Sequence, residues 1–204
     1  MQKIEKKILE LFTLNYKLKF SQIEKQINIR SNKLSYYLKS LIKKGILIKE
    51  NESYKLSEQS EYLIPYLSDK NSVLSIILIH IGNSKKCFLI KRNKRPFKDM
   101  LSLPGGRILL GESIKTSVKR LMEEKFEINA KIKKINSVSI EHLKKKNKIL
   151  HTYLLVFTTA KTTDKIPLTN IEKNKKNIIT SDYYLLKNDL NKKINIKTLN
   201  TFKF

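Results

Sequence analysis

Apolar residues in the first third of the chain recur at helical spacing. Ile4, Ile8, Leu11 and Phe12 make one stripe, Ile23 and Ile27 a second, and Leu34, Leu38, Leu41 and Ile42 a third. Ser21 and Glu24 form a capping-box pattern beside the second stripe, and Ser31 stands where it can cap the third helix. Gly45 is placed to stop that helix. Beyond it, "ILIKENESYKLSEQ" reads as two short strands around a polar "ENES" turn, and "EYLIPYL" as a short closing helix reaching Pro65.

From residue 73 the pattern changes to apolar runs separated by Pro/Gly and Lys/Asn breaks. "VLSIILIHI", Val73 to Ile81, and "KCFLIKR", Lys86 to Arg92, read as neighbouring strands with "GNSK" as the turn between them. An amphipathic helix is expected from about Ser113 to Phe126, with Ile114, Val118, Leu121 and Met122 on its apolar side. "NAKIKKINSVSIEHL" and "KILHTYLLVFTTA" supply two longer strands, and "IITSDYYLL" a shorter one. The expectation is an α+β protein with a boundary near "LSDKNS", residues 67 to 72. A helical domain, 1–68, precedes a domain with a mixed sheet flanked by helices, 72–204.

Composition narrows the function classes. The longest apolar run is less than half of the roughly 20 residues a membrane helix needs, so a cytoplasmic protein with no membrane partner is expected. A single cysteine, Cys87, excludes an internal disulfide framework, and His80, His142 and His151 lie on separate strand-like segments without zinc-type spacing. The net charge of +25 favours a polyanionic partner. An AT-rich coding bias toward Lys, Asn and Ile is the competing explanation. Only +6 of the charge falls in residues 1–68, and +19 lies beyond them.

Three short helices followed by a hairpin resemble a winged helix-turn-helix, and "SNKLSYYLKSLIKKGIL" is similar to the recognition-helix stretch of regulators with that fold. The resemblance implies a third helix entering the DNA major groove, with the wing touching phosphate. Arg30, Asn32, Lys33, Ser35 and Tyr36 lie at the open end of that helix, outside the apolar stripe, and are the candidate DNA contacts.

"LPGGRILLGESIKTSVKRLMEEKFEI", residues 103 to 128, resembles the signature of the Nudix family, Gly-x5-Glu-x7-Arg-Glu-U-x-Glu-Glu-x-Gly-U, where U is aliphatic. Gly106, Glu112, Arg120, Met122, Glu124 and Ile128 match without a gap. The resemblance implies an α/β/α sandwich, a glycine-rich loop turning sharply at Gly105 and Gly106, and carboxylates on one helix face holding Mg²⁺ against a diphosphate. The three carboxylate positions fall on Leu121, Glu124 and Lys125, and Glu127 stands where the motif has glycine. Glu123 is no substitute, because it points roughly 200° away from position 121.

Glu124 is thus left as a weak, degenerate metal ligand, and Mg²⁺ as at most a weakly held cofactor. Restoring both carboxylates, with Leu121→Glu and Lys125→Glu, is expected to create Mg²⁺ affinity. If the chain is an enzyme, Glu124, Glu112 and Arg120 are its candidate catalytic residues; alternatively, Glu112 and Arg120 form an ion pair fixing the loop to the helix. Lys125 beside Arg92 or Arg95, with Gly105 and Gly106, is the candidate binding set for a nucleotide diphosphate. Glu141 is the acidic residue best placed on a late strand to act as a base.

Three functions remain open. One is a homodimeric transcription regulator that binds DNA and senses a nucleotide-like small molecule. Another is a hydrolase of nucleoside diphosphate derivatives with an accessory N-terminal domain. The last is an interaction module without chemistry.

Overall fold

Each apolar stripe of the first third becomes the buried face of a helix in the computed structural model, which describes residues 3–66 and 72–200. The chain divides into two units, Met1–Ser72 and Val73–Phe204. The expected boundary at 67–72 lies, apart from Ser72, outside the described residues.

In the first unit, α1 (Lys3–Glu10), α2 (Phe20–Ile27) and α3 (Ser31–Lys43) enclose a core that includes Ile8, Leu9, Ile23, Leu34 and Leu38. β2 (Leu47–Glu50) and β3 (Ser53–Leu56) form the expected hairpin. A short strand the sequence did not suggest, β1 (Leu18–Lys19), pairs with β3 to give the order β1-β3-β2. Glu58–Tyr66 winds as 3₁₀ turns and runs one residue past Pro65.

Three local expectations are corrected. Ser21 is inside the first turn of α2, where the Lys19 N–H donates to Gln22 Oε1 at 2.7 Å, so the Ser21/Glu24 box is not used. Ser31 is the first residue of α3 and donates its hydroxyl to the Glu24 carboxylate, tying α2 to α3. Tyr37 is buried while Ile42 is 36% exposed, because Ile42 sits roughly 80° around the helix from Leu34.

The second unit is built on a four-stranded mixed sheet, β8-β4-β10-β9. β4 (Leu74–His80) runs parallel to β10 (Lys148–Thr162), and β9 (Ala130–Lys145) and β8 (Gly105–Arg107) are antiparallel to their neighbours. Both faces of the central strands are covered, which explains their near-continuous apolar run. Ile77, Ile79 and Val156 pack with Val118, Leu121 and Met122 of α4 (Ile114–Phe126). Leu78, Leu155 and Phe157 pack on the opposite face with Leu185 and Leu186 of α5 (Thr180–Asn188). Burying each such side chain contributes about 2 kcal/mol.

Two strand expectations fail in this unit. Lys86–Arg92 is not one strand beside β4: it breaks into β5 (Lys86–Cys87), paired with β11 (Thr169–Asn170), and β6 (Ile90–Lys91), paired with β7 (Leu101–Ser102). "IITSDYYLL" is no strand either; Ile178 and Ile179 lead into α5, whose Asp182, Leu185 and Leu186 are buried at i, i+3 and i+4. Among the described residues, no helix is long and apolar enough to cross a membrane.

Candidate functional site

α4 carries the centre of the motif, and its start is well determined. Thr116 N–H donates to Ser113 Oγ at 3.2 Å, and Ser113 N–H to Thr116 Oγ1 at 2.8 Å, a reciprocal cap. The apolar face then buries Leu121, leaving Arg120 and Glu124 on the outer side.

Glu112 is held from several directions. Arg120 Nε donates to Oε1 and Arg120 Nη2 to Oε2 at 2.8 Å; Ser117 Oγ (2.7 Å) and the Leu109 N–H (2.9 Å) also donate to Oε2. The Arg120 guanidinium, first among these, draws the Glu112 carboxyl down to about 2. Arg120 Nη2 also reaches the Arg107 carbonyl at 3.1 Å, and Nη1 the Glu124 carboxylate at 3.3 Å. Glu112 and Arg120 therefore clasp the loop before α4 to the helix.

The three metal positions of the motif do not fit a divalent cation. Leu121 is 1% exposed and packs in the core. Lys125 Nζ donates to the Gly105 carbonyl at 2.7 Å, where a cation would meet another positive charge. Glu124 is exposed and leans on Arg120. Among the described residues, no group of three or more His, Cys, Asp or Glu side chains could hold a metal ion.

Gly105 and Gly106 are not turn formers. They lie in β8, where a side chain on Gly105 would collide with the Ile77 carbonyl. A Cβ on Gly106 would come within 2.5 Å of Leu121 Cδ2 and 2.8 Å of Lys125 Nζ. The glycines are what allow strand, Leu121 and Lys125 to meet.

These residues border a cavity of about 310 Å³. Arg92, Arg107 and Lys125 line it with positive charge, Arg92 being braced by donation from Nε to the Pro96 carbonyl at 3.0 Å. Burial, then Arg120, Lys94 and Arg92, lowers the Lys125 pKa, with Glu124 opposing. Arg95 is exposed and does not line the cavity, whereas its neighbours Pro96 and Phe97 do. Apolar walls come from Leu78, Leu103, Leu155 and Ile179, and rings from Phe97 and Tyr153.

An acidic group at the same cavity was not read from the sequence. Asp182 is 4% exposed, and its Oδ2 accepts the Leu103 N–H at 2.7 Å. Burial pushes its carboxyl up to about 7; the Leu103 bond opposes this, Glu141 adds to it, and Arg92 opposes it. Glu141 lines the cavity, and Tyr153 has its pKa raised by burial and then by Glu141. Ser102 also lines the cavity, its Oγ buried and without a hydrogen-bond partner among the described residues. A helical reading of "TSDYYLL" would have placed Asp182 in a first turn and flagged it.

Elsewhere, His80 is buried with its pKa lowered by desolvation, His142 Nδ1 lies 3.0 Å from Thr152 Oγ1, and the His151 ring tilts over Tyr153. Burial pushes the Cys87 thiol up to about 12. In the first unit, Arg30, Asn32, Lys33 and Tyr36 are exposed at the start of α3, and Ser35 is half-buried.

Comparison with known proteins gives the family. No curated protein matches the chain in sequence. Among solved structures, a NUDIX hydrolase from Nitrosomonas europaea is 20% identical, covering 58% of this chain and 70% of that one at a TM-score of 0.46. The NUDIX domain of Shewanella oneidensis NrtR, complexed with ADP ribose, is 17% identical, covering 65% and 96% at a TM-score of 0.46. A UDP-X diphosphatase is 20% identical, covering 77% and 78% at a TM-score of 0.45. The model of the NUDIX domain family matches residues 72–186, more than half of the chain, and on that match the protein belongs to the Nudix family.

Proposed function

We propose that this chain is a DNA-binding transcription regulator whose Nudix domain binds a nucleotide-diphosphate-like metabolite without hydrolysing it. The observation that carries the reading is Lys125 donating to the Gly105 carbonyl, beside a buried Leu121, at the positions where the family has metal-binding carboxylates. Nudix domains generally use a divalent metal such as Mg²⁺. Here a fixed cation, with Arg92 and Arg107 on the same cavity, can meet diphosphate oxygens directly by charge-assisted hydrogen bonds. Direct contact supplies binding; it supplies no activated water.

The first unit supports the DNA half of the reading. Three helices and the β2–β3 hairpin follow one another in the order expected of a winged helix-turn-helix, and we take 1–68 and 72–204 as the two domains of the regulator. α3 would enter the major groove, with Asn32, Lys33 and Tyr36 toward base edges and Arg30 toward phosphate. Ser35 would contribute from its half-buried position. One such helix covers little surface, so a homodimer on a two-fold site is expected.

The test is a hydrolysis screen over ADP-ribose and nucleoside diphosphate sugars, with binding measured on the same samples with and without Mg²⁺. Binding without Mg²⁺ and no turnover is expected. Turnover at ordinary enzyme rates, abolished by Glu124→Gln, would overturn the reading in favour of a hydrolase. For DNA, selection from random duplexes should enrich a two-fold sequence that Asn32→Ala and Lys33→Ala bind more weakly. No enrichment would remove the regulator.

A further inference from the structure

β9 and β10 continue past the sheet that they help to build. β10 pairs with β4 only from Tyr153 to Thr159, whereas its pairing with β9 runs on to Lys148 opposite Lys145. Residues 142–152 are therefore a two-stranded ribbon, closed by the turn Lys146–Asn147, with no third strand among the described residues. At about 3.4 Å per residue the ribbon reaches about 15 Å beyond the last pair shared with β4. A lone hairpin of this kind is marginally stable in water. Every residue from Lys144 to His151 is exposed, Ile149 and Leu150 among them. The register shift between Ile149 and His151 leaves Leu150 without a partner in β9.

The ribbon carries one sign of charge. Lys144, Lys145, Lys146 and Lys148 fall within it, and no Asp or Glu occurs between 142 and 152. Lys91, Lys119, Lys187 and Lys192 of the same unit each reach a carboxylate, and the four of the ribbon reach none among the described residues. Lys145 and Lys148 stand directly opposite each other across the strands, an arrangement that destabilises a hairpin and that a bound anion relieves.

The register also divides the lysines between the two faces. Lys144 shares a face with Ile149 opposite it, Lys145 and Lys148 share the other, and Lys146 is at the turn. A membrane-surface element separates its apolar residues from its charges, and this ribbon mixes them. Charge on both faces and at the tip suits a groove with phosphates on both walls. The major groove of B-DNA, about 12 Å wide and about 8.5 Å deep, admits a two-stranded ribbon, while that of an A-form RNA helix is too narrow.

We propose that the β9–β10 ribbon is a DNA-binding arm of the second unit, its four lysines contacting phosphates while Ile149 and Leu150 pack against sugars and base edges in the major groove. The arm shares with the proposed function the premise that the chain binds DNA, and it takes no support from α3.

Fluorescence anisotropy of the full chain on a random-sequence DNA duplex of about 30 base pairs, from about 50 to about 200 mM salt, tests this. Lys144→Gln, Lys145→Gln, Lys146→Gln and Lys148→Gln together should make the slope of log K against log salt shallower by about 3–4, since each phosphate contact contributes about 0.9. Over that salt range the wild type should lose about a hundredfold more affinity than this variant. A control replaces four exposed lysines elsewhere in the unit, Lys165, Lys173, Lys176 and Lys193, by glutamine, and should change the slope by less than about 1. The two variants have equal net charge, so their difference separates position from composition. Glutamine keeps nearly the length of lysine, and relief of the Lys145–Lys148 repulsion should leave the Tm of the ribbon variant at or above that of wild type. The single change Lys146→Glu should weaken binding several-fold at the lowest salt. Asn32→Ala, on α3, should keep the slope difference that the ribbon lysines make.

A ribbon variant with the wild-type slope, or a control that loses as much, overturns the arm and leaves α3 as the DNA contact. A loss seen on an RNA duplex of the same sequence or on phosphatidylserine vesicles, but not on DNA, overturns DNA as the partner. A wild-type chain that binds no DNA overturns both the arm and the regulator.

Discussion

The α4 end and the α5 end of the second unit, on opposite faces of its sheet, handle carboxyl groups in opposite ways. At α4, Glu112 is ionised and held down to about 2 by Arg120, and it serves the fold by clasping a loop. At α5, Asp182 is buried with no cation among the described residues in hydrogen-bond contact and is pushed up to about 7, close to where it can exchange a proton. The motif marks the first end and is silent on the second. A signature thus locates the fold, while a buried carboxyl with a strongly perturbed proton lies where no signature points.

The comparison breaks if the α4 end can accept the carboxylates that the motif expects there. Leu121→Glu would bury a charge among Ile77, Val118 and Met122, and should cost about 4 kcal/mol in denaturant unfolding. The expectation that Leu121→Glu with Lys125→Glu creates a Mg²⁺ site is revised accordingly, since Leu121 is a core residue. A double variant that unfolds at the wild-type denaturant concentration and binds Mg²⁺ in calorimetry would show that this end still takes a metal.

Glu112→Gln should cost about 3 kcal/mol, because Arg120 loses a two-point partner while 21% exposed. The loss has a pH signature. The folded pKa lies below the ordinary 4.5, so the stability Glu112 contributes is present above about 4.5 and vanishes as pH falls through about 2. Wild type and variant should therefore converge in acid. A gap that persists at low pH would mean that the clasp acts by packing.

Asp182 has the opposite sign. Its folded pKa of about 7 lies above the ordinary 3.8, so its contribution is full below about 3.8 and is lost as pH rises through about 7. Asp182→Asn, which cannot ionise, should gain about 2 kcal/mol over wild type at about pH 8 relative to about pH 5.5. Parallel stability curves for the two proteins across that range would show that Asp182 is ionised throughout, and the contrast between the two ends would disappear.

Much of the fold was legible because local pattern and burial agree. β4, β9, β10 and α4 are long or strongly periodic, and each buries the face its spacing marks. Pairing choices were not legible. Lys86–Arg92 looks like one strand, but its halves pair with residues far along the chain, Thr169–Asn170 and Leu101–Ser102. α5 was missed because two isoleucines and a threonine precede Asp182, and Asp182 is held by the backbone of residue 103. At the site, Lys125, named from the motif, and Arg92, named as its neighbour, both line the cavity, and Gly105 and Gly106 line it as strand residues and not as turn formers. Asp182, Ser102, Arg107 and Tyr153 share no spacing, and only the fold brings them to one cavity.

The smallest expected effect concerns the end of α4, where Glu127 stands in place of the motif's glycine. The helix exits as it would with glycine: Glu127 has φ 57° and ψ 29°, its N–H donates to the Glu123 carbonyl at 3.0 Å, and the Ile128 N–H donates to the Met122 carbonyl at 3.2 Å. The left-handed conformation costs a residue with a Cβ about 1–2 kcal/mol. Glycine removes that strain but gives back about 0.4–1 kcal/mol through the freer unfolded chain. Glu127→Gly should therefore stabilise this unit by about 0.5–1 kcal/mol, raising its Tm by about 2 °C. Glu127→Ala separates the causes, because alanine keeps the strain while removing a negative charge from a helix C-terminus, where it is unfavourable. If alanine stabilises as much as glycine, the charge is responsible, and the backbone at α4 carries no strain that glycine could relieve.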